Sequence, residues 1–155
     1  FRSITEVIGQ DDPEMAERLR EALAEAHILH ASVYTGEHEE GPQPAALVIC
    51  ALPFAAEADA LCCSLARHEA AQGHHTTLAT LTLGPAVLSV ADDIRTPGES
   101  VPWQLARYRA WILLRDRPIV LCADLATPKM SGWEVFGNLM AGILISMRIH
   151  EGDNE

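Results

Sequence analysis

Arginine and aromatic side chains alternate over residues 95–117, and this stretch is well suited to binding. Its members are Arg95, Trp103, Arg107, Tyr108, Arg109, Trp111, Arg115 and Arg117. Guanidinium groups match carboxylates and phosphates in geometry and charge, and Arg, Trp and Tyr dominate binding hot spots. We predict that a protein partner or an anionic ligand contacts Arg95, Arg107, Arg109, Arg115, Trp103 and Tyr108. Alternatively, the tryptophans lie in the core and the arginines pair with acidic residues of the N-terminal segment.

Three histidines, His68, His74 and His75, are weak candidates for metal ligands. They lie near the end of a predicted helix, where a charged imidazole also complements the helix dipole. The acidic loop at Glu37–Glu40 holds potential ligands too, but adjacent side chains of a loop point apart. We therefore predict no metal site and no cofactor.

The cysteines offer no recognisable reactive motif. Cys50 and Cys122 lie in apolar runs, where a thiol behaves as a small hydrophobic group, and Cys62 and Cys63 lie within a predicted helix. Sequence motifs of nucleotide-binding loops, zinc proteases and α/β-hydrolases are absent as well. We predict no catalytic residues, and we leave open whether the protein is an enzyme.

Charge excludes one class of partner. The chain of 155 residues has a net charge of −11, and 48% of its residues are hydrophobic. Residues 1–60 contain 12 acidic and 3 basic side chains. A protein that neutralises phosphates would be basic, so we predict no nucleic-acid partner. The hydrophobic content is too high for a disordered chain.

The hydrophobic periodicity predicts an α+β domain. Apolar residues at helical or alternating spacing, together with turn residues, define the elements. They are helix 13–27, strand 28–34, acidic loop 36–44, strand 45–53, helix 55–72, strands 76–83 and 86–90, helix 101–115, strand 118–125 and helix 132–149. The last helix begins with a capping box, Ser131 to Glu134.

The order of these elements is typical of a ferredoxin-like core. Residues 45–125 read as βαββαβ, which would place both helices on one face of the sheet. We predict one domain over residues 1–155, with an N-terminal helix, strand and acidic loop (1–44), this core, a C-terminal helix (131–149) and a tail (150–155). The alternative is an open mixed α/β sheet.

Two strands and one helix indicate an additional interface. Strands 45–53 and 118–125 are apolar on both faces, and helix 132–149 is apolar nearly all round. A helix of this kind is buried on every side. Either terminal helices of the chain cover the sheet, or a second copy does. We predict a homodimer that uses helix 132–149 or the sheet face.

These observations favour a non-catalytic binding or regulatory protein. We predict that this acidic protein acts like an inhibitor, an immunity protein or a chaperone. Its expected partner is a basic protein. The alternative is a small enzyme or a ligand sensor that binds an anionic molecule at the arginine-rich segment. Arginine and alanine usage indicates a bacterial source. Free cysteines, and no signal-peptide or membrane-spanning pattern, predict a cytoplasmic protein without a membrane partner.

Overall fold

Six β-strands form one antiparallel sheet in the computed structural model, which describes residues 21, 25–36, 41, 43–91, 106–128 and 133–150. The strands are β1 (His27–Gly36), β2 (Gln43–Pro53), β3 (His75–Thr80), β4 (Pro85–Ala91), β5 (Ala106–Leu113) and β6 (Ile119–Thr127). Their order in the sheet is β1-β2-β6-β5-β4-β3. Within the described ranges, β1 and β3 are therefore the edge strands.

In the part of the chain that the structure describes, two helices pack on opposite faces of this sheet. Helix α1 (Ala58–Ala71) connects β2 to β3, and helix α2 (Trp133–Ser146) follows β6. The Glu57 side chain caps α1 by accepting hydrogen bonds from the amides of Asp59 and Ala60. The two resulting layers are called here the α1 face and the α2 face of the sheet.

Each face has its own hydrophobic core because successive side chains of a strand point to opposite sides. On the α1 face, Leu61 and Leu65 of α1 pack with the strand residues Val87, Trp111 and Leu113. On the α2 face, three α2 residues pack on the sheet: Phe136, Met140 and Leu144. The prediction that β2 and β6 are apolar on both sides is explained by these two layers.

The α+β class is confirmed, whereas the ferredoxin-like core is not. All five strand pairings of the described sheet are antiparallel, and the two described helices lie on opposite faces rather than on one. Helix α1 carries the chain from β2 across the sheet to β3 at the far edge. The resulting architecture is an open antiparallel sheet between two helices.

The predicted helix 101–115 is wrong over residues 106–113, which form strand β5. Its residues alternate strictly, with Ala106, Tyr108 and Ala110 on the α2 face and Arg107 and Arg109 on the α1 face. The two arginines resembled the charged side of a surface helix. They are instead partners of carboxylates on the α1 face, so the period of two was the correct signal.

Several predictions lie wholly or mostly outside the described residues: helix 13–27, most of the acidic loop, residues 92–105 and the start of the capping box. Helix 13–27 was predicted to extend too far, because His27 is the first residue of β1. Predicted helix 55–72 agrees with α1, and predicted helix 132–149 agrees with α2, within a few residues at each end. None of the helices that the structure describes is long and apolar enough to span a membrane.

Candidate binding site

A carboxylate buried on the α1 face is the centre of a charged network. Glu69 of α1 has a side chain only 1% exposed, and its Oε1 accepts a hydrogen bond of 3.0 Å from the indole nitrogen of Trp111. Its Oε2 lies 2.6 Å from Nδ1 of His74. Since a carboxylate can only accept, His74 carries a proton on Nδ1. Helix α1 thus holds Glu69 over β5, where strand residues donate to it.

Two arginines of β5 complete this network. The Nε atom of Arg109 donates to Oδ2 of Asp124 at 2.7 Å, and its Nη1 lies 3.4 Å from Oε1 of Glu69. The Nε atom of Arg107 lies 3.2 Å from Oδ1 of Asp124. Arg109 and Asp124 occupy directly opposed positions of β5 and β6. The arginine charges are therefore neutralised inside the protein.

The electrostatics of this network favour its charged form. Burial raises the pKa of Glu69, but hydrogen bonds from Trp111 and His74 and the charge of Arg109 outweigh this and leave the pKa lowered. For His68, burial lowers the pKa, and the charges of Arg109 and His74 add to this effect while Glu69 opposes it. The two shifts favour a neutral imidazole at His68 and an ionised carboxylate at Glu69.

Tyr108 lies on the opposite face from the two arginines. Its ring stacks on Trp133 with centroids 4.0 Å apart, and its hydroxyl donates to the Trp133 carbonyl oxygen at 2.9 Å. Burial raises the pKa of Tyr108 to about 12, so the hydroxyl stays protonated as a donor. The strand therefore separates Tyr108 from Arg107 and Arg109, which were predicted to act together.

A groove of about 320 Å³ runs between α2 and the β3–β4 hairpin, and Tyr108 is part of its wall. Its lining is mostly apolar and includes Leu88, Met140 and Leu144. The small residues Gly137 and Ala141 open it on the α2 side, and His75 lies at its β3 wall.

The remaining predicted site residues do not converge. Arg115 is exposed in the turn between β5 and β6, while Arg95 and Trp103 lie outside the described residues. His68 and His74 are on the α1 side, whereas His75 lines the groove on the other side. Within the described ranges, no group of three or more His, Cys, Asp or Glu residues is arranged to hold a metal.

Exposed apolar side chains mark a different surface on the edge strand β1. Helix α1 lies mainly over β3 and β4, and no other helix of the described residues covers the β1 side of the α1 face. Ile28 is 70% exposed and Val33 is 72% exposed. With the exposed Ala31 and Ala46, which follow the same face by register, they form what we call the β1 margin.

The outer side of α2 is a second apolar surface. Val135 is 50% exposed and Ile145 is 66% exposed, and Ile149 beyond the helix is 42% exposed. They lie away from the core residues Phe136, Met140 and Leu144.

Two of these features were missed from the sequence. Glu69 was not identified because its surroundings in the chain, a helix with His68 and Arg67, look like a solvated surface. The β1 margin was missed because the position of β1 at a sheet edge is decided by the pairing of distant strands. Asp124 offered a signal, since a carboxylate inside a strand that is apolar on both faces requires a buried partner.

Comparison with known proteins finds a solved structure of similar fold and assigns no activity. No protein-family model matches the sequence, and no curated protein matches it. Among solved structures, the chain is similar to PA94 from Pseudomonas aeruginosa, a protein of unknown function described as a candidate regulator. The match has a TM-score of 0.53 and 19% identity, and covers 79% of this chain and 84% of the other. At this identity the likeness shows a shared fold.

Proposed function

We propose that the protein is a non-catalytic acidic binding protein of a bacterium that engages a protein partner at strand β1. The observation that carries this proposal is the β1 margin, where apolar side chains about 70% exposed lie beside a strand edge. Exposed apolar clusters of soluble proteins commonly mark interaction sites.

The edge of β1 supplies the backbone part of such a site. β1 has 10 residues and pairs with β2 on one side, and no described strand pairs with its other side. An edge of this length presents a row of main-chain donors and acceptors, which an extended segment of a partner can extend as a further strand. Side chains of that segment would cover Ile28 and Val33.

The charge of the surrounding chain supports a basic partner. Residues 1–60, which include β1, carry 12 acidic and 3 basic side chains. Complementary charge speeds association and selects among partners. The partner segment that fits β1 best is therefore an extended strand with an apolar residue at every second position and with Lys or Arg at its ends.

The alternative, a small enzyme or a sensor of an anionic molecule, receives less support from the arginines. Arg107 and Arg109 are paired with Asp124 and Glu69, and an anion would have to displace these carboxylates. Glu69 is only 1% exposed, and separating a buried carboxylate from its partners is costly. The arginines therefore serve to stabilise the sheet, and the partner binds at the β1 margin instead.

We further propose that the outer side of α2 mediates self-association. Its exposed side chains Val135, Ile145 and Ile149 support a homodimer. Light scattering on a size-exclusion column at low and high salt tests this proposal, and the variant Ile145→Glu provides the comparison. A dimer that persists in high salt and dissociates in this variant is expected. A wild-type monomer would contradict the proposal.

A selection from displayed random peptides of about ten residues tests the binding function. Selected peptides are expected to be alternately apolar and basic, and their affinity to fall about tenfold or more in Val33→Lys. The control is Leu78→Lys, because Leu78 is 59% exposed on the same face of the other edge strand, β3. Equal affinity for the wild type and Val33→Lys, or a loss confined to Leu78→Lys, would exclude β1 as the site.

A further inference from the structure

Two cysteines that are far apart in the sequence lie directly opposite each other at the centre of the sheet. Cys50 of β2 and Cys122 of β6 are register partners in an antiparallel pair, so both side chains point to the α1 face. Directly opposed residues have Cα atoms about 4.5–5.5 Å apart, depending on the type of pair. Disulfides span Cα distances of about 4.4–6.8 Å. Neither type of pair requires the strands to move apart.

Both cysteines are unbridged and only partly buried. Cys50 lies between Cys122 and Ile28 of β1, and Ile28 is 70% exposed. A small reagent can therefore approach Cys50 from the β1 side. Cys122 lies deeper, beside its β5 partner Trp111 and close to the guanidinium of Arg109.

We propose that Cys50 and Cys122 form a redox-active dithiol, which low-molecular-weight disulfides oxidise to a bridge between β2 and β6. The Cys50 thiolate attacks one sulfur of the reagent, whose S–S bond breaks as a mixed disulfide forms on Cys50. The thiolate that leaves takes up the proton that Cys50 has lost. Cys122 then loses its proton and attacks the Cys50 sulfur, which releases the second thiolate to be protonated. The protein dithiol is oxidised, and the reagent is reduced to two thiols.

The two cysteines have different roles in this sequence. Burial raises the pKa of the Cys122 thiol to about 12, which makes it a poor first nucleophile, because the thiolate is the reactive form. Cys50, on the accessible side, attacks first. Cys122 acts only when the mixed disulfide places a sulfur electrophile directly opposite it. The charge of Arg109 favours the Cys122 thiolate, and Asp124 and Glu69 oppose it.

The other two cysteines provide an internal control. Cys62 is buried and Cys63 is exposed on α1, and neighbouring residues of a helix point in different directions. Exposed Cys63 is expected to form only a mixed disulfide, which adds the mass of one glutathione to the chain. The opposed pair is expected to form a bridge, which removes two thiols without adding glutathione.

The experiment incubates the native protein with oxidised glutathione, removes the reagent and alkylates the remaining thiols in denaturant. Intact mass and non-reducing peptide mapping are then measured. The expected result is that Cys50 and Cys122 escape alkylation without gaining glutathione and are linked to each other within one chain, whereas any reaction of Cys63 adds the mass of one glutathione. Alkylation of both Cys50 and Cys122, or a link that involves Cys62 or Cys63, would overturn the proposal.

Matched variants separate the two steps. Cys62→Ala combined with Cys63→Ala is expected to leave the bridge unchanged. Cys122→Ala is expected to stop at a stable glutathione adduct on Cys50. If Cys122→Ala does not fold, phenylarsine oxide is added to the Cys62→Ala, Cys63→Ala chain, where one bound arsenic per chain shows that the opposed thiols meet. No bound arsenic would overturn the proposal.

Discussion

The two faces of strand β5 bury their residues by different physical means. On the α1 face, Arg107, Arg109 and Trp111 lie in a network of charges and hydrogen bonds around Glu69 and Asp124. On the α2 face, Ala110 and Ile112 pack under the apolar side of α2. The first arrangement demands particular partners at particular distances, whereas the second demands only matching volume. Their responses to substitution should differ accordingly.

The largest expected effect is the loss of the central carboxylate. Glu69→Ala removes one of the two carboxylate partners of the partly buried Arg109 and also removes the buried acceptor for Trp111. We expect a loss of about 3–5 kcal/mol in the free energy of unfolding, measured by urea denaturation. The control is Asp116→Ala, an exposed carboxylate in the turn between β5 and β6, with an expected change within about 0.5 kcal/mol. Equal effects of the two variants would show that the network contributes no specific stability.

Near-isosteric substitutions should separate the two faces more clearly. Glu69→Gln keeps the shape of the side chain, but the amide nitrogen is a donor and would face the N–H groups of Trp111 or His74, which also donate. We expect the free energy of unfolding to fall by about 1–3 kcal/mol. Met140→Leu in the α2 core conserves volume, and we expect a loss below about 1.5 kcal/mol. Thermal and urea unfolding measure both. A larger loss for Met140→Leu than for Glu69→Gln would reverse the comparison.

Acid should destabilise the α1 face first. The folded-state pKa of His68 is below the ordinary value of 6.5, chiefly because of burial. The unfolded chain therefore binds a proton that the folded chain does not, and stability falls as pH decreases below 6.5. Glu69 also destabilises the protein in acid, because its folded-state pKa is lowered from the ordinary 4.5. Its contribution to stability is lost as pH falls below 4.5 toward that lowered pKa.

Unfolding free energies from pH 7.5 to 4 measure this dependence. In His68→Leu, we expect a smaller decrease between pH 6.5 and 5 than in the wild type. An unchanged slope in that variant would assign the dependence to other groups.

The smallest expected effect compares two glycines of α2. A Cβ at Gly142 would meet nothing within 4 Å, so Gly142→Ala should stabilise the helix by about 0.5–1 kcal/mol. A Cβ at Gly137 would lie 2.6 Å from the Tyr108 hydroxyl. Gly137→Ala should therefore lose this gain and change the fluorescence of the stacked Trp133. Equal stabilisation by both variants would show that α2 shifts freely over the sheet.

Periodic patterns in the sequence were sufficient for elements whose apolar residues recur at a regular spacing. Strand β2, helix α1 and helix α2 were predicted within a few residues because their apolar spacing is regular. Strand β5 was assigned to a helix because its arginines were read as solvated, and their carboxylate partners, Glu69 and Asp124, are distant in the chain. An error in this one element converted the antiparallel sheet into a βαββαβ pattern.

The sequence by itself determined the α+β class, the apolar strands, and the need for a layer on each side of them. Hydrophobic periodicity encodes these properties locally. The tertiary structure alone decided that Arg109 meets Glu69, that Cys50 faces Cys122, and that Ile28 and Val33 lie on an open edge. Each of these relations depends on which strands pair and in which register, and a shift of one residue would move every side chain to the other face.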